Sequence, residues 1–248
     1  MDYITKPFHP AEVIARVKLH LSLSATTQSL QAEIERHKQT VNKLEKANHA
    51  LYRLANLDGL TQVANRYCFD ESLTEEWFRL AREQKPIGIV LCDVDHFKVY
   101  NDHYGHQAGD ECLRQIARAI FQSARRPADL VARYGGEEFV VLLPATGQEG
   151  VEHVAFTICN TIRNLQIPHA KSDSDSWVTI SVGGCSLVPD VSMPPNTLVE
   201  LADRALYQAK HQGRNQFVLA PALSEDTHLE NDSSLQILGN TQSQPTQG

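Results

Sequence analysis

The sequence predicts an α/β or α+β domain, with a sheet covered by helices, preceded by a long helix of the coiled-coil type. Three observations predict it. From Asp58 to about Ala220 helical and strand patterns alternate, as they do when a sheet is packed against helices. Within that span "DLVARYGGEEFVVLLP", Asp129 to Pro144, sets Gly135 and Gly136 between two apolar runs and reads as a hairpin. Upstream, from Leu23 to Ala55, apolar residues recur at 4-3 spacing.

Composition sets the bounds. A chain of 248 residues, 42% hydrophobic and 21% charged, has enough apolar content for one good core. A formal charge of -7 argues against a broad nucleic-acid surface, because nothing would neutralise a phosphate backbone, and leaves room only for a local phosphate site. The five cysteines are odd in number, widely separated and set in apolar or helical stretches, so they read as reduced, buried small hydrophobes. No apolar run approaches the ~20 residues of a membrane span, and "MDYITKPFHP" lacks the apolar core of a secretory signal. A cytoplasmic chain with no membrane and no nucleic-acid partner is the expectation.

The elements follow in order. In residues 1–22 Pro10 opens a helix whose Val13, Val17 and Leu21 repeat at spacing four, too little chain for a domain. Residues 23–57 place Leu30, His37, Leu44 and Leu51 at d, and Ile34, Val41, Asn48 and Ala55 at a. Asn48 would fix register in a parallel homodimer while His37 weakens the seam; a lone linker helix fits the same spacing. Residues 58–220 then run as a strand ("PIGIVLCDVDHF"), a helix ("GDECLRQIARAIFQSA") with Cys112 or Leu113, Ile116 and Ile120 on one face, and the hairpin. Its strands are Leu130–Val131 and Phe139–Leu143, both glycines supplying φ > 0. A helix ("EGVEHVAFTICNTIRNL"), a strand ("SWVTISVGGCSLV"), a helix ("NTLVELADRALYQAKHQG") and a short strand ("QFVLA") complete the domain, and "HAKSDSDS" reads as a mobile loop. Residues 221–248 have too little apolar content to fold.

Two groups of residues carry chemistry. Asp93 and Asp95 end an apolar strand and, by strand alternation, share a face. If that strand pairs with the hairpin, Asp93 and Glu137 converge as the hard oxygen ligands that Mg²⁺ takes beside nucleotide phosphates. Without that pairing Glu137 and Glu138 are solvated acids on a hairpin. His103 and His106 form H-x-x-H, but with Gly105 beside them they read as loop residues and not as a zinc site. Lys210 and Arg214, at spacing four on a helix ending in Gly213, are explained by the helix dipole alone.

Taken together, "LANLDGLTQVANR", "DVDHFKVYNDHYGHQAGDE", "RYGGEEF" and "ADRALYQAKHQGRN" resemble, in order, the motifs of the GGDEF-domain diguanylate cyclases, with the variant signature Gly135-Gly136-Glu137-Glu138-Phe139. The resemblance covers essentially the whole globular part. It implies a palm-like fold with a mostly antiparallel central sheet, and the joining of two GTP into cyclic di-GMP with release of two pyrophosphates. It implies that Asp93, Glu137 and the Val94 carbonyl hold two Mg²⁺ ions per site, with Mn²⁺ as an alternative, and that Glu137 helps deprotonate the 3′-hydroxyl. Lys98 would stabilise charge on the α-phosphate, the backbone N–H groups near His96 and Phe97 would approach the β- and γ-phosphates, and Asn101 and Asp110 would read guanine. By the same resemblance Lys210 and Arg214 become a phosphate-binding pair, and Asp95 and Glu138 support the ligands.

Two shorter likenesses remain. "RPAD", with Arg126 and Asp129, resembles the family's RxxD product-inhibition site; a helix-ending Arg followed by a strand-starting Asp is the other reading. "DYITKPFHPAEVIARVKLHL" resembles the last strand, Lys-Pro turn and final helix of a response-regulator receiver domain, whose phosphoryl-accepting acid would lie upstream of this chain. The competing function is an inert GTP or cyclic di-GMP binding module whose coil recruits partners. Signature integrity favours the enzyme, since Asp93, Lys98, Gly135, Gly136, Glu137, Lys210 and Arg214 are all in place.

Overall fold

The computed structural model describes residues 10–172 and 175–221 and divides the chain into two compact units, 1–55 and 56–248. The strand and Lys-Pro turn of the receiver likeness, and residues 222–248, lie outside the described residues.

The first unit is the helix α1 (Pro10–Asn56), which runs unbroken through both helical stretches read from the sequence. None of its described side chains is buried. The 4-3 residues Leu30, Ile34, Val41, Leu44 and Leu51 are all more than half exposed.

The second unit contains α2 (Arg66–Glu83), β1 (Ile87–Val94), α3 (Phe97–Tyr104), α4 (His106–Ser123), β2 (Leu130–Gly135), β3 (Glu138–Pro144), α5 (Gln148–Asn164), β4 (Ile180–Leu187), α6 (Asn196–His211) and β5 (Phe217–Leu219). The five strands form one sheet in the order β2-β3-β1-β4-β5. Of the pairings among these five strands β4–β5 alone is parallel, so the expected mostly antiparallel sheet is present. Strand β1 lies at its centre and is apolar from Ile87 to Cys92, with both faces covered, before it reaches Asp93. Val90, Cys92 and Val94 pack with Ile116 and Ile120 of α4 and Ile158 of α5, while Ile87, Ile89 and Leu91 pack with Leu73 and Trp77 of α2 and Leu206 of α6. Each such fully buried aliphatic side chain contributes roughly 1.5–3 kcal/mol, which holds in place the strand end that carries the acids.

Local chemistry explains the ends. Asn65 caps α2 by accepting from the Cys68 N–H at 2.9 Å, and Phe69, Leu73, Trp77 and Leu80 form its buried stripe. Helix α3 starts without a side-chain cap, from His96 in the left-handed conformation (φ 54°). His103 therefore stands in the last turn of α3 and His106 opens α4, so neither is the loop residue expected; the loop between them is Gly105 alone. The hairpin also differs. Gly135 ends β2 paired with Glu138, and the turn is Gly136–Glu137, with positive φ only at Gly136. That shift puts Glu137 at the tip.

Candidate active site

Strand register builds the site first. Asp93 pairs with Glu138 across β1 and β3, so the tip carrying Glu137 lies beside the end of β1. The last turn of α6 adds Lys210, whose Nζ stands 2.8 Å from Asp93 Oδ2. Partial burial pushes the Asp93 carboxyl above its ordinary pKa; the Lys210 ammonium pulls it back, and the charges on Glu137 and Asp95 add to the rise. Burial raises Glu138 as well, with Asp93 reinforcing it and Lys210 opposing. Three acids around one lysine make a place that favours added positive charge.

Immediately beyond β1 the chain turns into α3. The N–H groups of Phe97 and Lys98 belong to its first turn and have no partner within the helix, while the Tyr100 N–H donates to the His96 carbonyl at 3.0 Å. Lys98 is exposed one residue into that helix. Asn101 of α3 meets Gly109 of α4, the chain neighbour of Asp110. Asn101 Oδ1 is buried without a hydrogen-bond partner, and a Cβ on Gly109 would lie 1.8 Å from it, so glycine is what leaves that amide its place. Asp110, next in the chain, is exposed.

Asp93 at the end of β1 and Asp95 just beyond it do not share a role. The strand ends at Val94, alternation no longer governs residue 95, and Asp95 is turned inward at 2% exposure. Its Oδ1 accepts from Ser181 Oγ at 2.6 Å, and its Oδ2 accepts from Thr179 Oγ1 at 2.7 Å and from the Asn215 N–H at 3.0 Å. Arg214 also departs from expectation. Helix α6 ends at His211, so Arg214 lies beyond it, exposed and left-handed (φ 64°), between Gly213 (φ 116°) and Asn215 (φ 51°).

Arg126 and Asp129 sit elsewhere. They flank a turn between α4 and β2, the Asp129 carboxylate accepting from the Arg126 N–H at 3.0 Å and Arg126 Nη1 donating to Thr146 Oγ1 at 2.6 Å. Neither ends a helix or starts a strand. Asp129 Oδ1 is buried and unpartnered, and burial raises that carboxyl despite the opposing Arg126. Leu130 pairs with Leu142 while Gly135 pairs with Glu138, so this turn lies at the other end of the hairpin, roughly 17 Å away at the usual strand rise.

Three features were not read from the sequence. His169, 1% exposed, opens the stretch expected to be mobile, yet its Nε2 stands 3.3 Å from the His96 carbonyl and its ring meets Tyr100 edge-on. Burial holds its pKa below the ordinary imidazole value. Arg133 donates from Nε to the Gly136 carbonyl at 2.8 Å and from Nη1 to Asp58 at 3.2 Å, tying the hairpin turn to the start of the unit. Asn215 joins Asp95 to Arg163, whose Nη2 donates to Asn215 Oδ1 at 2.9 Å. Each of the three has at least one partner more than fifty residues away, and no local pattern announces that contact.

Comparison with known proteins agrees with this geometry. Residues 55–216 match the family described as diguanylate cyclase, GGDEF domain. The chain is 36% identical over 166 residues to the probable diguanylate cyclase DgcT of Escherichia coli, covering 67% of this chain and 36% of the relative. It is 34% identical over 217 residues to the response regulator PleD of Caulobacter vibrioides, covering 88% of this chain and 44% of PleD, so the chain spans less than half of either relative. The crystal structure of the coiled coil and GGDEF domain of DgcB from Caulobacter crescentus, in complex with c-di-GMP, superposes with a TM-score of 0.65 at 31% identity, over 77% of this chain and 100% of that one. The diguanylate cyclase SiaD of Pseudomonas aeruginosa, solved with its activator SiaC, gives 0.60 at 32% identity over 85% and 84%. Fold, motif order and the meeting of Asp93 with the hairpin acids lead to one conclusion: the chain belongs to the GGDEF family of diguanylate cyclases.

Proposed function

We propose that the chain is a diguanylate cyclase that joins two GTP molecules into cyclic di-GMP, releasing two pyrophosphates, as a homodimer paired through α1. One observation carries the reading: Asp93, Glu137, Glu138 and Lys210 gather beside the free N–H groups at the start of α3. Phosphoryl transfer needs acids, a cation and amide donors around one phosphate chain.

The donor set suits Mg²⁺, or Mn²⁺ in its place. Mg²⁺ is commonly held by one or two carboxylates plus substrate phosphates, which asks for no cage of protein ligands, and among the described residues no group of three or more His, Cys, Asp or Glu forms one. Asp93, Glu137 and the Val94 carbonyl would hold two ions per site. Bound there, they would neutralise phosphate charge and favour ionisation of the attacking hydroxyl.

The protein's own groups do the rest. Glu137 takes the proton of one GTP's 3′-hydroxyl; the oxygen bonds to the α-phosphorus of the facing GTP, and the bond to its pyrophosphate breaks. A second, symmetric transfer closes the ring and releases the second pyrophosphate. Lys98, Lys210 and Arg214 offset the phosphate charge, with the N–H groups near His96 and Phe97. Asp110 accepts from the N1–H and 2-amino group of guanine, and Asn101 offers its free Oδ1 beside it. Arg126 and Asp129, set apart from the acids, act as a product-inhibition site that binds cyclic di-GMP. The N-terminal receiver likeness is supported by the long match to PleD, and a GTP substrate puts the reaction in the cytoplasm.

The test is direct. The purified chain is incubated with GTP and MgCl₂ and the nucleotides are separated by ion exchange. Cyclic di-GMP and pyrophosphate in a ratio of about one to two, abolished by EDTA, is the expected result. GTP that binds and stays unconverted would overturn it in favour of an inert binding module.

A further inference from the structure

We infer that Asp95 is a positioning residue that holds Arg214 in its phosphate-facing place, acting through the backbone N–H of Asn215. The inference rests on reading Arg214 as a phosphate ligand.

A carboxylate at 2% exposure is out of water, and it persists only where hydrogen bonds compensate the lost solvation. Asp95 has three donors, two of them the hydroxyls of Thr179 and Ser181. Those hydroxyls pin the carboxylate to the start of β4, and the Asp95 N–H donates to the Thr179 carbonyl at 3.0 Å. The third donor is the Asn215 N–H, 120 residues further along the chain.

That amide belongs to a backbone that does not hold itself. Gly213, Arg214 and Asn215 have φ of 116°, 64° and 51° in succession. Two of the three carry a Cβ, for which the left-handed region is disfavoured, and such a run survives only where the surroundings over-determine it. The Arg214 N–H donates to the Ala209 carbonyl at 3.0 Å and fixes one side of the run. On the other side the Asn215 N–H meets Asp95, while the Asn215 side chain meets Arg163 and, at 3.4 Å, Asp175. Arg214 is exposed between these two anchors. Asp95 also directly precedes His96, from which α3 starts, so one buried carboxylate joins the two segments that the proposed function brings to the triphosphate.

A double-mutant cycle tests it, with Asp95→Asn, Arg214→Ala and the pair made in the full chain. Binding of GTP and of guanosine is measured by titration calorimetry, and thermal unfolding alongside. Asp95→Asn is expected to weaken GTP binding about tenfold while leaving guanosine binding unchanged, and to cause no further loss when Arg214 is already Ala. Where Asp95→Asn does not fold, Thr179→Val replaces it, with an expected loss of about threefold and the same dependence on Arg214. A GTP loss that persists undiminished in the Arg214→Ala background, or that extends equally to guanosine, makes Asp95 a plain strut and overturns the inference. If Arg214→Ala leaves GTP binding unchanged, the phosphate reading of Arg214 falls first, and this role of Asp95 falls with it.

Discussion

Ile34, Leu44 and Leu51 of α1 remain 53%, 68% and 65% exposed, whereas Ile116 and Ile120 of α4 are at 0%, although both helices repeat apolar residues every three or four positions. A stripe becomes a buried face only when something covers it. In the globular unit the sheet does so, and α4 shares one core cluster with Val90, Cys92 and Val94. In α1 the unit is the helix itself, and a strict 4-3 seam is the pattern that a second helix covers by knobs into holes. In the proposed function the two regions divide the work: the globular unit would hold one GTP, and the helix would decide whether two such units meet.

The largest expected effect comes from the globular side. Glu137→Ala should abolish product formation at every protein concentration, while thermal unfolding shifts by no more than about 0.5 kcal/mol, because the residue stands at a turn tip outside the core. Chromatography of products and a melting curve check both halves. Residual turnover near wild type would remove Glu137 from the reaction.

Next in size is the helix. Replacing Leu44 and Leu51 together with Asp would set like charges against each other across a paired seam, so turnover should vanish at low protein concentration with GTP binding intact. Sedimentation and activity measured over a dilution series decide it. Full specific activity at all concentrations would assign pairing to another surface.

The third change compares the regions directly. Ile116→Ala should cost the globular unit about 2–5 kcal/mol in urea unfolding, and Leu44→Ala close to nothing in the same transition. Similar losses from both would mean that the two units do not unfold separately.

The smallest effect concerns Asp58, just past the end of α1. Its partial burial would raise the carboxyl, but bonds from Thr61 and Arg133 outweigh that and hold its pKa below the ordinary value of 3.8. The folded state therefore binds the proton less readily than the unfolded one, and the stabilisation is present above that value and lost as pH falls through the lowered pKa. Asp58→Asn should cost about 1 kcal/mol at neutral pH, and the gap from wild type should close in acid. A gap that does not change with pH would show that the charge plays no part.

Much of this was legible because it is local. The apolar run of β1 and the single buried face of α4 each declare themselves within a dozen residues, and the 4-3 spacing of α1 does so from Leu30 to Ala55. Helix α2 carries a comparable local signal, Phe69, Leu73, Trp77 and Leu80 at helical spacing behind an Asn65 cap, although the expected element order contains no helix there. Helix α3 was not declared, since eight residues without a side-chain cap carry too little pattern. At the site, the residue types of Asp93, Glu137, Lys210 and Arg214 were plain, but their conformations were not: Arg214 was assigned to a helix it lies beyond, and Gly135 to a turn that begins one residue later.

Chain order, residue types and periods of 2, 3.5 and 3.6 are properties of neighbouring residues, so the sequence by itself determined the longer patterned elements, the motif set and the 4-3 seam of α1. Tertiary structure alone decided which of Asp93 and Asp95 faces the lysine and which is buried. Asp93 meets Lys210 and Asp95 meets Asn215 only after β1, β4 and the end of α6 have packed, across 120 residues in the second case. A carboxylate's burial and partners depend on that assembled environment, and no period within the strand encodes it.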